Sequence, residues 1–311
     1  MVIPQLFVKV VSSGEQLQVK GINEAFDGVV DVGGSGTFET IQAADDALDS
    51  GAYALWVKTG TYSAGFTVST NNAYIFVEPG TVIEAAITLS GNNITLVLGA
   101  GCDIQGIITL SGANCSLTCQ NGVDTDGLVM SGAFGFHDGG GWETIHQGGT
   151  ANDAIAISGT DCVVQHCAAQ TTTGGGNSFE GVAYSAARIS IIAVKVIDSD
   201  NEGIQGQPGG NDIYIAGCVI LGADGNGMTI QGARARVIGN YIIAAGADGI
   251  NLAASADDST VIGNIVRDQG AQPIDIDVNG ENCVVVGNRV DGAVSDNSGT
   301  STVASNDETA F

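Results

Sequence analysis

The sequence predicts an all-β solenoid, a parallel β-helix wound from a single chain, on three observations. The first is composition. The 311 residues include 47 glycines but only four prolines, with 44% hydrophobic and 14% charged residues. That is too aliphatic for a disordered chain, and the glycines keep no three-residue collagen period. The second is a repeat. Gly-apolar pairs recur at Gly106-Ile107, Gly127-Leu128, Gly181-Val182, Gly203-Ile204, Gly227-Met228 and Gly249-Ile250, with Ala154-Ile155 and Pro273-Ile274 in the same slot. Their steps are 21, 27, 27, 22, 24, 22 and 24 residues, a solenoid period. The third is the internal form of each repeat: short strand-like runs divided by small or polar turns. "RVIGNYI", "TVIGNIV" and "VVVGNRV" are near-copies starting at Arg236, Thr260 and Val284. The L-x-x-L-x-L-x-x-N frame of leucine-rich repeats is missing. Three strands and three turns per repeat fit a β-helix instead. A coil cannot bury its own apolar face, and stacking joins those faces into one core. Nine or ten coils spaced ~4.8 Å apart would make a rod of about 45 Å.

The elements follow in order. Residues 1 to 32 hold two strand-like runs, "LFVKVV" and "EQLQVKG", expected as an attachment arm or part of a cap. The solenoid then needs a cover, because an open end exposes unpaired strand edges. "FETIQAADDALDSG", Phe38 to Gly51, supplies a capping helix. Phe38, Ile41, Ala44 and Leu48 share one face, Gln42, Asp45, Asp46 and Asp49 are polar, and Gly51 can end the helix. "ALWVKTGTYSAG", Ala54 to Gly65, reads as the first strands and turn. Phe-x-Thr-Ile-Gln-x-Ala, an apolar strand, then Gly-Thr-Tyr is similar to the opening of pectate-lyase-like right-handed β-helix proteins. The resemblance runs from about Phe38 to Asp291 and implies a right-handed rod over residues 33–293. That superfamily holds polysaccharide lyases, hydrolases and epimerases, and also viral spike and structural proteins. Residues 294–311 are mostly Ser, Thr, Asn, Asp and Gly and are expected to form a polar, weakly ordered tail.

Charge narrows the partners. Nine basic residues face 34 acidic ones, a formal charge of -25. Such a surface repels a phosphate backbone and an anionic membrane, so neither is expected as a ligand. No apolar run approaches the length of a membrane span. The opening residues are interrupted by polar side chains too early for a signal peptide. The seven cysteines lack zinc-finger spacing and are expected as free, buried small hydrophobes.

Three places could carry chemistry. Asn240, Asn264 and Asn288 share one place in the coil, 24 residues apart, with Cys218 preceding them by 22. They are expected to form a structural ladder, as Asn bonds turn backbone readily. The residues before the Gly-apolar points form a second column: Gln105, Asp126, Asp153, Glu180, Glu202, Asn226, Asp248 and Gln272. Its carboxylates suit either a solvated turn or, paired on adjacent coils, Ca2+ or acid–base work on a glycan. No cofactor beyond that Ca2+ is expected. The third place is where the repeat lengthens, "GAFGFHDGGGWETIHQGG" from Gly132 and "TTTGGGNSFEG" from Thr171. Extra residues in a solenoid usually emerge as loops on one face. The first segment gathers His137, Asp138, Trp142, Glu143 and His146. Glu143, His146 and Asp138 are the candidate acid–base residues. Trp142 and His137 are the candidate ligand contacts, with the indole suited to stack on a sugar ring. Glu143 and His146 are also of metal-ligating type, but no complete metal site is assigned.

The resemblance implies a basic residue beside calcium-binding acids in a lyase, and a richer aspartate cluster in a pectin hydrolase. Arg188, Lys195, Arg234, Arg236 and Arg267 are scattered, and Asp257-Asp258 stands without the rest of the hydrolase pattern. The expectation is therefore a structural virion protein of a bacteriophage, a capsid decoration or tail appendage. It would be homotrimeric, bound to capsid or tail proteins, and would contact host-surface glycan. The alternative is an extracellular polysaccharide lyase or glycoside hydrolase acting on an acidic polysaccharide.

Overall fold

The computed structural model describes residues 26–33, 36–48, 51–148, 152–171, 179–277 and 279–308. The two strand-like runs of the N-terminal segment fall outside them. The described chain winds through three parallel sheets of 13, 11 and 11 strands. One coil contributes one strand to each. The first complete coil runs Tyr53–Val57, Thr61–Tyr62 and Phe66–Val68, and the next runs Ala73–Val77, Val82–Ile83 and Ile87–Leu89. Eleven strands in the two smaller sheets make eleven complete coils, one or two more than the repeat count suggests. The molecule is the expected right-handed parallel β-helix.

Alternation builds the core. In the first sheet Leu55, Ile75, Leu96 and Leu117 point inward in one stacked column, and each is fully buried. Each such side chain contributes about 1.5–3 kcal/mol relative to exposure. Close stacking, at ~4.8 Å between coils, is set at the corners. The corner before the first sheet places one residue per coil in the left-handed region, from Asn72, Asn93 and Asn114 through Asp161, Arg188, Asp212, Arg234 and Asp258 to Asn282.

 Asn and Asp tolerate that conformation best. Phe134 occupies the same column with φ 57° and is 57% exposed, so an aromatic ring projects where the other coils carry polar side chains.

Two glycine-dependent corners bring coils closer than a side chain allows. A Cβ on Gly112 would stand 1.8 Å from the Gly91 carbonyl oxygen, and one on Gly132 would stand 2.1 Å from that of Gly112. Gly112→Ala is expected to destabilise the rod by about 2–4 kcal/mol, as backbone of the preceding coil must move. Thermal melts of the variant beside Gly80→Ala, where the added Cβ meets nothing but φ is 73°, separate collision from dihedral strain. Equal, small losses would refute the collision.

The cap forms over Ile41–Ala47, with the Thr40 side chain accepting from the Ala43 N–H. Phe38 lies before the helix in a parallel bridge to Val30 and packs on the core with Leu48. Asp45 departs from the expected polar face. It is 1% exposed, accepts from the Tyr53 hydroxyl, and accepts from the Ser69 N–H at 3.1 Å. The cap is thus tied to the first coil by a buried carboxylate. Burial, then the Asp45 hydrogen bond and charge, push the Tyr53 phenol upward.

The C-terminal residues also differ from the expected tail. Ser295–Asp296 pairs with the strand at Asp275–Ile276, and Thr302–Ala304 pairs with Val284–Val286. Polar residues suffice here because these end strands gain ladder hydrogen bonds and bury little, with Val303 half-buried against the core. The Gly-apolar slot holds with one exception: Ile108, not Ile107, lies opposite Leu128. No helix among the described residues is long and apolar enough to cross a membrane.

Candidate functional site

The Asn column forms the expected ladder and extends by one residue. Asn240, Asn264 and Asn288 are buried to within 1%. Asn264 Oδ1 accepts from the Asn240 N–H at 2.9 Å, and Asn288 Oδ1 accepts from the Asn264 N–H at 2.9 Å. Asn306 Oδ1 continues it by accepting from the Asn288 N–H at 3.0 Å. At the other end the Cys218 N–H donates to Asn240 Oδ1 at 2.8 Å. All these groups serve backbone, so the column is scaffold.

The second column behaves mainly as a turn ladder. Asp153 Oδ1 accepts from the Glu180 N–H at 3.1 Å, Asn226 Oδ1 from the Asp248 N–H at 2.9 Å, and Asp248 Oδ1 from the Gln272 N–H at 2.9 Å. Glu180 stands out. It is 7% exposed. Burial, then its hydrogen bond and proximity to Asp153, push its carboxyl up to about 8, with the Asn201 amide opposing. A carboxyl protonated near neutrality beside a second carboxylate is a proton donor held ready.

The segment from Gly132 is not an extruded loop. Phe136–Asp138 is a strand of the first sheet and Ile145–Gly148 a strand of the second. His137 pairs in register with Leu117 and Val164, and His146 with Thr125 and Ala169. The extra length lies later. The third sheet steps from Met130 to Ile157 while the second steps only from Thr125 to His146. The insertion therefore enters after Gly148, at the corner between the second and third sheets. The segment from Thr171 lengthens the same corner one coil on, and its residues 172–178 lie outside the described residues.

Register divides the five candidate residues. His137 and His146 point inward and are fully buried, with Nε2 atoms 2.8 Å apart. His137 Nδ1 lies 3.2 Å from the Leu117 carbonyl oxygen, which can only accept, so that nitrogen carries a proton. His137 Nε2 then accepts from His146 Nε2–H, and His146 Nδ1 accepts from the Thr125 hydroxyl at 2.7 Å. Burial lowers the His137 imidazole to about 4 and lowers His146 as well, the latter helped by His137. Neither ring faces an external substrate, which corrects the acid–base role for His146 and the ligand contact for His137.

Asp138, Trp142 and Glu143 stay outside. Asp138 Oδ1 accepts from the Gly140 N–H at 3.0 Å and lies 3.2 Å from His166 Nδ1, and its Oδ2 accepts from Gln165 Nε2 at 3.0 Å. Partial burial opposes ionisation, but these hydrogen bonds and the His166 charge hold the carboxyl below its usual range. Trp142 is 46% exposed and donates from Nε1 to the Ala193 carbonyl at 2.6 Å, and Glu143 accepts from the Asn121 amide. Neither His166 nor Cys167 is among the residues the sequence marks as candidates for chemistry. His166 joins Asp138 outside. Cys167 lies inside, with its sulfur within 4.8 Å of nitrogen atoms of both buried histidines. A cysteine two coil-strands away in sequence gives no pattern by which to connect it to them.

Sequence comparison matches no protein-family model and no curated protein. Among solved structures, the chain is similar to pectate lyase Pel9A, with a TM-score of 0.56 and 15% identity over 86% of this chain and 74% of that one. It is also similar to the A-module of the Azotobacter vinelandii mannuronan C-5 epimerase AlgE4, at 0.58 and 13% identity over 85% of this chain and 94% of that one. ORF18 of Geobacillus virus E2 matches at 0.49 and 14% identity over 82% of this chain, which spans about half, 54%, of that protein. The fold is thus a parallel β-helix like those of these proteins. At these identities the likeness defines the fold.

Proposed function

We propose that the protein is a structural rod of a bacteriophage virion, a capsid decoration or tail appendage that self-associates side by side as a homotrimer and contacts host-surface glycan. The observation that carries this reading is an outward apolar stripe along the second half of the rod. Ile192, Ala216, Ile238, Ile262 and Val286 stack in register on the outer face of the first sheet. Ile262 is 37% exposed and the others are half-buried. Across the corner, Val219, Tyr241 and Ile265 stack on the outer face of the second sheet. A long apolar band on a chain of charge -25 is what lateral contact between copies needs, since contiguous exposed apolar area marks an interaction surface. The inward turn of both histidines supports the same reading.

Sedimentation of the purified chain should give a trimer, and Ile238→Asp/Ile262→Asp should give a folded monomer. A monomeric wild type would defeat the trimer reading. Virion attachment is read separately, by binding of the tagged rod to particles lacking it.

A second reading, a polysaccharide lyase or glycoside hydrolase, is favoured by one observation: the Asp153–Glu180 pair with its raised carboxyl. Glu180→Gln would then abolish release of new chain ends from acidic polysaccharide. Its stability consequences are independent of that activity.

A further inference from the structure

We propose that His137 Nε2, His146 Nε2 and Cys167 Sγ form an interior binding site for one monovalent copper ion. The two Nε2 atoms stand 2.8 Å apart, one ring nitrogen of each histidine and the Cys167 sulfur lie within 4.8 Å of one another, and all three residues are fully buried.

The surrounding groups orient the ligands. Metal-bound histidine usually donates its other ring N–H to an oxygen. His137 Nδ1 already faces the Leu117 carbonyl at 3.2 Å, and His146 Nδ1 faces the Thr125 hydroxyl at 2.7 Å. With copper on Nε2, His146 carries its proton on Nδ1 and donates to Thr125. The Thr125 hydroxyl turns to the Gly127 carbonyl, 3.4 Å away. The two Nε2 atoms stand 2.8 Å apart across one shared proton. Nitrogens bound to one three-coordinate ion at about 2.0 Å stand roughly 3.5 Å apart. Binding therefore opens the pair by about 0.7 Å, moves the shared proton to His146 Nδ1, and releases the Cys167 thiol proton to solvent as the thiolate binds.

Cys167 differs from most of the other thiols. Cys102, Cys115, Cys162, Cys218 and Cys283 each donate to a backbone carbonyl. The Cys167 thiol, like that of Cys119, has no such partner among the described residues. Its place exists because residue 139 is glycine: a Cβ there would stand 2.5 Å from the Cys167 Cβ.

The ion follows from charge and donor type. Thiolate and imidazole select copper and zinc among common ions. One thiolate neutralises Cu+ but leaves Zn2+ with a net positive charge in an apolar interior, which is costly. Zn2+ also seeks four ligands, and the cluster offers three.

The test refolds the full chain under reducing conditions with Cu+ supplied as its acetonitrile complex, then challenges it with bicinchoninate. One copper per chain is expected, with two nitrogens and one sulfur in its X-ray absorption shell. Cys167→Ser should lose the copper, whereas Cys218→Ser should keep it. Thr125→Val should weaken retention about 10-fold or more while circular dichroism stays unchanged. If Cys167→Ser fails to fold, His137→Gln takes its place. Full copper retention in the ligand variants, no copper in wild type, or Zn2+ displacing Cu+ would each overturn the assignment.

Discussion

Asn264→Ala is expected to remove about 3–5 kcal/mol of stability and to loosen the last coils of the rod first. The side chain makes four hydrogen bonds in a fully buried place. Its Oδ1 accepts from the Asn240 N–H and Nδ2 at 2.9 and 3.0 Å. Its Nδ2 donates to the Val237 carbonyl at 3.0 Å and to Asn288 Oδ1 at 2.9 Å. Alanine leaves those groups unpaired where water does not reach. A solenoid couples mainly nearest neighbours, so hydrogen exchange should rise most from residue 240 to the C-terminus. Coils before residue 120 should keep their protection. A loss below about 1 kcal/mol by denaturant titration would show that neighbouring groups repair the gap.

The second large effect concerns pH. Glu180 is raised from 4.5 to about 8 by burial and Asp153. Between those values the unfolded chain has released the proton and the folded chain still holds it. Folding stability therefore falls as pH rises through that window, by about 2–4 kcal/mol for this group, and levels above pH 8. Glu180→Gln mimics the protonated form and can donate to Asp153 as the acid does. The variant should match wild type near pH 4.5 and exceed it by that margin at pH 9. Parallel stability curves for the two proteins would rule out a raised Glu180. Polysaccharide turnover measured on the same pair of proteins addresses the enzymatic reading without depending on this result.

Much of the fold could be read in the sequence because a solenoid repeats its local rules. Each Val/Ile-Gly-Asn marks the same corner, with Gly239, Gly263 and Gly287 at φ 63–65°. The following Asn turns inward to pair with the next coil. The 24-residue spacing alone places Asn240, Asn264 and Asn288 one above another. Asn306 escaped because the final coil is shorter, 18 residues on from Asn288. The apparent tail escaped for a related reason: its strands bury no residue fully, so their composition resembles a turn.

The site was less legible. A lengthened repeat shows that residues are added, but not at which corner. Register assigns the extra chain to the corner after Gly148 and returns Phe136–Asp138 and Ile145–Gly148 to regular strands. Alternation then turns His137 inward and Asp138 outward, although they are adjacent in sequence.

The sequence by itself determined the parallel coil, its period, the helical cap and the Asn ladder, because each follows from local spacing repeated many times. Only the tertiary structure decided which side of the wall the histidines occupy and that Cys167 meets them. Those facts depend on register between coils, where a shift of one residue moves a side chain from solvent to core.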